Sequence, residues 1–524
     1  MQPQIQGVLK IDSTTGYYKG GVREPLNEEI EAQAMLSIAH GADGICWFIY
    51  YGVPVSFKSG AYKIYGLLNP DSPFVHRHSN LYGQDKWKAV RNMNIKIEHW
   101  KPTLDKIIWT NGWSVHKDGA SHDFISDIKS IKRNPSNEYS DSPPCTYCDG
   151  TIERYWEMGF FDPDFYNSEV DQYDKSKYFI MVNRRCVPDV NNQGDFRQLK
   201  IKFDSTDLTG FRNWKITELD SNKIVRIFDK DSALYINMGE FNPGEGKLYT
   251  LAPVMQEGGT LVANEQVEGI TFVCNGPVYN NGKDISILEG TKIDFKTGAG
   301  ITMNGGKLIC SNYSTNTSEN VLLKGYNGQP WNGIVMNSCM RSVIQRTRFE
   351  DAKNCIVISN DNGGSKYTSK VIRRNYFKVT ADSGKALTIS NQMEMAIDSN
   401  TFEITSFDNT AGIYYVNNDN TEPESMPPAE EGIPEDEISA GYINITKNTF
   451  SGAYFPVLIN DLGSNFSQFY IYNNEFINTG LFGITGRKIA GTIKQNKFTD
   501  EAQSYCLSLY ECSPDISQNI FRSE

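Results

Sequence analysis

Hydrophobic and polar positions in the last third of the chain fall into one recurring phrase, Ile-x-x-Asn-x-Phe. It runs through Ile372-Arg373-Arg374-Asn375-Tyr376-Phe377 and returns at Ile397 to Phe402, Ile445 to Phe450, Ile471 to Phe476, Ile493 to Phe498 and Ile516 to Phe521. A weaker copy spans Ile344 to Phe349, with Thr347 in place of Asn. The phenylalanines at 349, 377, 402, 450, 476, 498 and 521 stand 28, 25, 48, 26, 22 and 23 residues apart. A period of this size marks one supersecondary unit, and units that cannot bury an apolar face alone do so by stacking. Each unit is too short for a helix pair and rich in β-branched and aromatic residues, so it predicts a strand followed by a turn.

Stacked, such units form a parallel β-solenoid. Ile and Phe are expected to point inward and meet their counterparts one coil away. Asn is expected to take the left-handed backbone of a tight corner and to pass an amide hydrogen bond to the Asn of the next coil. The 48-residue step predicts one coil carrying an insertion, bounded at 417–440. Its central residues 419–437 hold eight carboxylates, four prolines and no Lys or Arg, the composition of a solvated, mobile loop.

Upstream the period changes. Residues 5–11 predict a strand. Asn27 is an expected helix N-cap, with Glu28 and Glu29 in the first turn, a buried stripe of Ile30, Ala34, Met35 and Ile38, and Gly41 as the stop. The run from Gly44 to Tyr51 is apolar throughout, as a strand covered on both faces should be. A second helix is expected from about Gln84 to His99, with Trp87, Val90, Met93 and Ile97 inward. Residues 121–150, ending in Ser142-Pro143-Pro144, predict a linker. Seven short strands then follow at 154–161, 177–183, 198–203, 214–219, 224–228, 233–238 and 247–251, a spacing that argues for an antiparallel sandwich.

Three resemblances attach to these segments. Gly290-Thr291-Lys292-Ile293-Asp294-Phe295, Gly298-Ala299-Gly300-Ile301, Gly305-Gly306-Lys307-Leu308 and Trp331-Asn332-Gly333-Ile334, followed by the Asn-x-Phe coils, resemble the right-handed parallel β-helix of pectin-lyase-like proteins. That resemblance covers about half the chain and speaks to fold, since the fold hosts lyases, hydrolases, epimerases, adhesins and spacers. The first 110 or so residues resemble the last two strand-helix units of glycoside-hydrolase-like TIM barrels, with Arg23-Glu24-Pro25, a Glu-rich helix start and Ala39-His40-Gly41-Ala42-Asp43-Gly44-Ile45 in the family's order. Tyr178 to Arg184 and Asn242 to Tyr249 resemble the first and last strands of the β-domain that follows such barrels. Together they imply a multidomain, mainly β chain. Its expected parts are a barrel remnant at 1–120, the linker at 121–150, a β-sandwich at 151–254 and the β-helix at 255–524. A whole barrel needs eight units, so the remnant implies a missing N-terminal barrel segment.

Bulk composition narrows the partners. Across 524 residues, 63 acidic against 51 basic side chains leave a net charge of −12, which argues against nucleic acid. No run approaches the ~20 apolar residues of a membrane span. Ten cysteines are ordinary usage, and the one C-x-x-C, Cys145 to Cys148, lacks the further ligands zinc needs. His76 and His78 have no acidic or thiol ligand beside them and are expected to be loop histidines; no metal site and no cofactor is indicated, with calcium left open as an alternative. Cys274, Cys310, Cys339 and Cys355 are expected in the solenoid core. Met1 to Gln6 shows no secretion leader. The barrel and β-helix resemblances nevertheless imply a secreted or cell-surface, bacterial protein.

Candidate chemistry is sparse. Retaining barrel glycosidases need two carboxylates about 5 Å apart from different strands. The resemblance leaves only Asp12 near the end of the would-be seventh strand, where a loop cap is the plainer role. Trp47 and Tyr51 would share one strand face as a sugar-stacking platform, or pack in the core. Aligning coils on Ile puts Arg346 over Arg374, about 4.8 Å apart. Like charges so stacked favour an anion between them, and the pair is the expected contact for an acidic glycan; the alternative is that they splay into water or meet Glu350 and Asp351. Glu350, Lys378 and Glu403 should form an alternating charge ladder. The expected function is polysaccharide binding or presentation without catalysis, the alternatives being a lyase or hydrolase acting on the β-helix, or a structural adhesin or spacer.

Overall fold

The structure, a computed structural model, describes residues 7–10, 25–47, 53–57, 60–65, 67, 84–115, 123–133, 155–186, 194–232, 234–311, 320–359, 370–391, 394–406, 409–417, 443–462, 467–500 and 505–523. Asp12, Tyr51, His76, His78, Cys145, Cys148 and the acidic insertion lie outside them. The chain divides into two compact units, one built on residues up to Ala252 and one on Pro253–Glu524 together with Gly210–Asn213 and Ile227–Asp229.

The second unit is a parallel β-helix of ten coils. Each coil gives one strand to each of three sheets, and each sheet therefore has ten strands in sequence-ordered steps of three. The first coil contributes Gly259–Thr260, Glu265–Val267 and Thr271–Cys274; the last contributes Tyr505–Tyr510, Ser513–Ser517 and Ile520–Ser523. Pairing is parallel and in register, with Ile344 beside Ile372, Ile372 beside Ile397, and Phe377 beside Phe402. The 48-residue step closes as one coil, because Phe402 pairs directly with Phe450.

Two side-chain columns explain the motif. The phenylalanine rings from Phe349 to Phe521 stack at centroid spacings of 4.9, 5.0, 4.6, 5.0, 4.6 and 5.2 Å, with interplanar angles of 4° to 12°. Beside them, the amides of Asn375, Asn400, Asn448, Asn474, Asn496 and Asn519 form a ladder, each Nδ2 donating to the next Oδ1 at 2.9 to 3.0 Å. Within the ladder every hydrogen-bonding valence is used. In Asn448 the second Nδ2 hydrogen goes to the Ile397 carbonyl, and Oδ1 accepts from both the backbone N–H and the side-chain amide of Asn400. A buried amide satisfied this fully carries no desolvation penalty and locks the register of the coils.

One detail differs from the sequence expectation. The left-handed residue of each corner is the one before the ladder Asn: Arg346, Arg374, Ser399, Lys447, Asn473, Gln495 and Gln518 have φ between 48° and 57°. The ladder Asn is held by interior hydrogen bonds, so the strain of the turn falls on the outward-facing neighbour, where side-chain identity is free to vary. Cys274, Cys310, Cys339 and Cys355 are buried in this unit, in the positions expected.

In the first unit, β1 (Gly7–Lys10), β2 (Val53–Phe57) and β3 (Gly60–Tyr65) form a small antiparallel sheet, while α1 (Asn27–Ala39) and α2 (Lys86–Leu104) supply the helices. Residue 26, not Asn27, caps α1: the Leu26 N–H donates to Glu29 Oε2 at 2.9 Å, and Glu29 rather than Asn27 closes the box. Gly41 ends the helix as expected, at φ 77°. The expected buried stripe is present, with Ile30, Ala34, Met35 and Ile38 all buried. The pairs β1-β3 and β2-β3 are antiparallel, and Ile45 to Trp47 are not in a strand; the rest of the expected apolar strand, 48–51, lies outside the described residues.

Further on come β4 (Ile107–Val115), β5 (Ile125–Lys132), β6 (Trp156–Pro163), β7 (Lys177–Asn183), β8 (Arg197–Phe203), β9 (Asn213–Glu218), β10 (Lys223–Asp229), β11 (Ile236–Phe241) and β12 (Gly246–Pro253). They make a six-stranded sheet in the order β10-β9-β12-β7-β6-β4 and a three-stranded sheet β11-β8-β5, with antiparallel pairs throughout β4-β6-β7-β12 and β5-β8-β11. Aromatic rings join the two sheets: Phe179 meets Phe203 at 6.1 Å, and Phe124 meets Phe160 at 5.2 Å. All seven strands expected after residue 150 are present. β5 lies in the expected linker, and its bulge between Ile125 and Asp127 hides the alternation that would have announced it. On the outer face α1 lies on β6 and β7, so closely that a Cβ at Gly159 would come within 2.4 Å of the Ala39 carbonyl oxygen.

Candidate functional site

The turn from the second to the third sheet projects the basic residues singled out by the repeat. Gln345 pairs with Arg373 and Ile344 with Ile372, which sets Arg346 directly over Arg374 on successive corners. Their backbones continue the ladder: Arg346 N–H donates to the Arg373 carbonyl at 3.2 Å, and Arg374 N–H to the Asp398 carbonyl at 3.0 Å. Arg374 is exposed. Arg373, on the adjacent strand, donates through Nε to Gln345 Oε1 at 2.9 Å.

On the third sheet the same two coils place Arg348 over the ring of Tyr376, 4.5 Å from its centroid. Arg348 also pairs with Glu350, and the Tyr376 hydroxyl donates to Glu403. Desolvation and the Glu403 carboxylate push the Tyr376 phenol up to about 12. The expected ladder is present, Glu350 beside Lys378 and Lys378 beside Glu403. Glu350 is therefore engaged by Arg348 and sits beside Lys378 in the ladder. Asp351 lies past the next turn, its carboxyl raised by burial and by Glu350, and it accepts from the Gly325 backbone. Four arginines and a lysine thus crowd two coils of a chain that is acidic overall, with an aromatic ring among them.

The other residues expected from the sequence are not gathered here. Trp47 belongs to the first unit, half-buried against its core, and donates Nε1 to Asn94 Oδ1 at 2.8 Å. Its ring edge is used, and its partner Tyr51 and the carboxylate Asp12 lie outside the described residues. Among the described residues no group of three or more His, Cys, Asp or Glu is placed to hold a metal ion. No helix of the described residues is long and apolar enough to cross a membrane.

Three arrangements were not visible in the sequence. Glu157, 2% exposed, accepts from His40 Nε2 at 2.7 Å, Ser114 Oγ at 2.5 Å and Arg184 Nη1 at 3.2 Å. Lys96 lies within 4.0 Å of Glu31, Asp220 and Glu245, and burial with these carboxylates pushes Glu31 up to about 7. In the β-helix Lys370 is buried within the second sheet, and burial pushes its amine down to about 8. No local pattern announces such groups, since the partners come from distant elements. The chain matches no family model, no curated protein and no solved structure.

Proposed function

We propose that the chain is a secreted or cell-surface carbohydrate-binding protein of the pectin-lyase-like, right-handed β-helix type, and that it holds or presents an anionic polysaccharide without cleaving it. The observation that carries this reading is the stacked corner of Arg346 and Arg374, flanked by Arg373 and by Arg348 on Tyr376. Basic side chains on successive corners favour an anion that spans them, and a polymer of uronate or sulfated sugars offers a carboxylate or sulfate at each repeat. The net negative charge elsewhere favours a partner that docks on this strip alone. In this reading the first unit and its two antiparallel sheets are derived from a glycoside-hydrolase-like barrel and its β-domain, and serve as scaffold.

A second reading is favoured by the regular Glu350, Lys378, Glu403 ladder, which is what an inert spacer or adhesin stalk would carry on its flank. The deciding experiment is a glycan array of neutral and anionic polysaccharides, read with and without calcium, followed by assay for unsaturated and reducing-end products. The expected result is salt-sensitive binding to anionic glycans with no product. Binding to none would support the spacer, and release of either product would establish a lyase or hydrolase instead.

A further inference from the structure

The corner joining the second sheet to the third presents one outward side chain per coil, in the order Arg346, Arg374, Ser399, Lys447, Asn473 and Gln495 from the fourth coil to the ninth. Cations therefore occupy the fourth, fifth and seventh coils, and the sixth breaks the run. Arg374 and Lys447 are exposed, and among the described residues neither side chain enters a hydrogen bond or an ion pair. Neighbouring coils lie about 4.8 Å apart, which sets these two cations about 10 Å apart along the rod. The coil between them is not neutral. Asp398, next to Ser399, lies in register between Arg373 and Thr446. Its carboxylate is held on the flank from two sides, Ser399 Oγ donating to Oδ2 at 2.9 Å and Thr446 Oγ1 to Oδ1 at 2.6 Å. On the third sheet Thr401 and Thr449 add hydroxyls beside it and no cation.

An anionic group thus meets opposite conditions on successive coils. A glycan laid along this corner with one anionic group on Arg374 brings its next sugar to the sixth coil, because a unit of an extended glycan advances by about one coil spacing. A carboxylate or sulfate on that sugar would face Asp398, and a like-charge contact discriminates against the ligand that carries it. A neutral sugar meets hydroxyls there instead. The sugar after it reaches Lys447, where an anionic group is again matched.

We infer, on the anionic-glycan reading above, that this corner selects a polysaccharide charged on alternate sugars, with Arg374 and Lys447 taking successive anionic groups and Asp398 excluding charge from the sugar between them. The test is isothermal titration of the full chain, at one salt concentration, with hyaluronan and with polygalacturonate. The first alternates a uronate with a neutral sugar; the second is charged at every sugar. Hyaluronan is expected to bind about tenfold tighter, the reverse of the order that charge density alone would give. Asp398→Asn should erase the preference by strengthening polygalacturonate. Lys447→Gln should weaken hyaluronan by about tenfold and leave polygalacturonate, which Asp398 keeps from lying along the corner, nearly unchanged. Lys447→Gln alters only an exposed side chain, so the test stands should Asp398→Asn fail to fold. Equal or tighter binding of polygalacturonate by the parent, or hyaluronan binding indifferent to Lys447→Gln, would overturn the inference while leaving anionic binding in place. Binding of neither polymer would overturn the reading beneath it, and the inference with it.

Discussion

The side-chain amide of Asn400 donates to Asn448 Oδ1 at 3.0 Å, although 48 residues separate them. Both are buried, and the bond is one rung of an unbroken ladder that ends on Asn519. Replacing Asn448 by Ala should leave Asn400 Nδ2 and the Asn474 Oδ1 side of the ladder unsatisfied, at a cost of about 1–3 kcal/mol for each stranded group. Chemical denaturation of the variant measures this. An unchanged midpoint would mean the ladder adds nothing to stability.

Phe450 lies between Phe402 and Phe476 at 4.6 and 5.0 Å. Phe450→Ala should destabilise by about 3–5 kcal/mol, because the rings above and below are pinned by their own coils and cannot collapse into the gap. Phe450→Leu should cost less. Equal losses from both would indicate that ring stacking contributes nothing beyond volume.

Glu31 gives a pH signature. Its carboxyl is raised from 4.5 to about 7 by burial, with Glu245, Asp220 and Glu28 adding to the rise and Lys96 opposing it. The native chain therefore keeps a proton that the unfolded chain releases between those values, so this group's contribution to stability falls as pH rises from 4.5 to about 7 and is level above. Glu31→Gln should melt higher than the parent above pH 7 and at nearly the same temperature near pH 4.5. A difference independent of pH would show that the carboxyl does not titrate in this window.

Thiol reactivity should be sharply divided. Cys46 is exposed, whereas burial pushes the thiols of Cys274 and Cys310 up to about 12. A disulfide reagent at pH 8 should modify Cys46 rapidly and reach Cys274 and Cys310 only as fast as the chain unfolds. Rapid labelling of Cys310 in the native protein would contradict its place in the packed interior.

For the basic corner, the paired substitution Arg346→Ala with Arg374→Ala should weaken binding of a polyuronate by about tenfold and flatten its salt dependence, with no change in melting temperature. Isothermal titration at two salt concentrations reads both effects. Undiminished binding would place the glycan contact elsewhere.

Much of this architecture was legible in the letters because a solenoid repeats its own environment. Ile372, Asn375 and Phe377 meet residues of the same type in both directions, so one periodicity encodes strand, corner and core together. At the corner the structure departs from the sequence expectation by one residue. Asn is the usual tenant of left-handed backbone, but here its amide is committed to the ladder and the strain passes to Arg374, at φ 55°. The antiparallel pairing of β1 with β3, the strand β5 and the clasp on Glu157 left no such trace, since each depends on contacts between unlike, distant segments.

Local chemistry and its repetition therefore determined the coil, its inward columns and the vertical alignment of Arg346 with Arg374. Tertiary structure alone decided which strands of the first unit run antiparallel and which carboxylates gather around Lys96. The physical reason is that a translational repeat carries its neighbours' identity within each unit, whereas a fold closed by unlike partners acquires its contacts only when the whole chain is in place.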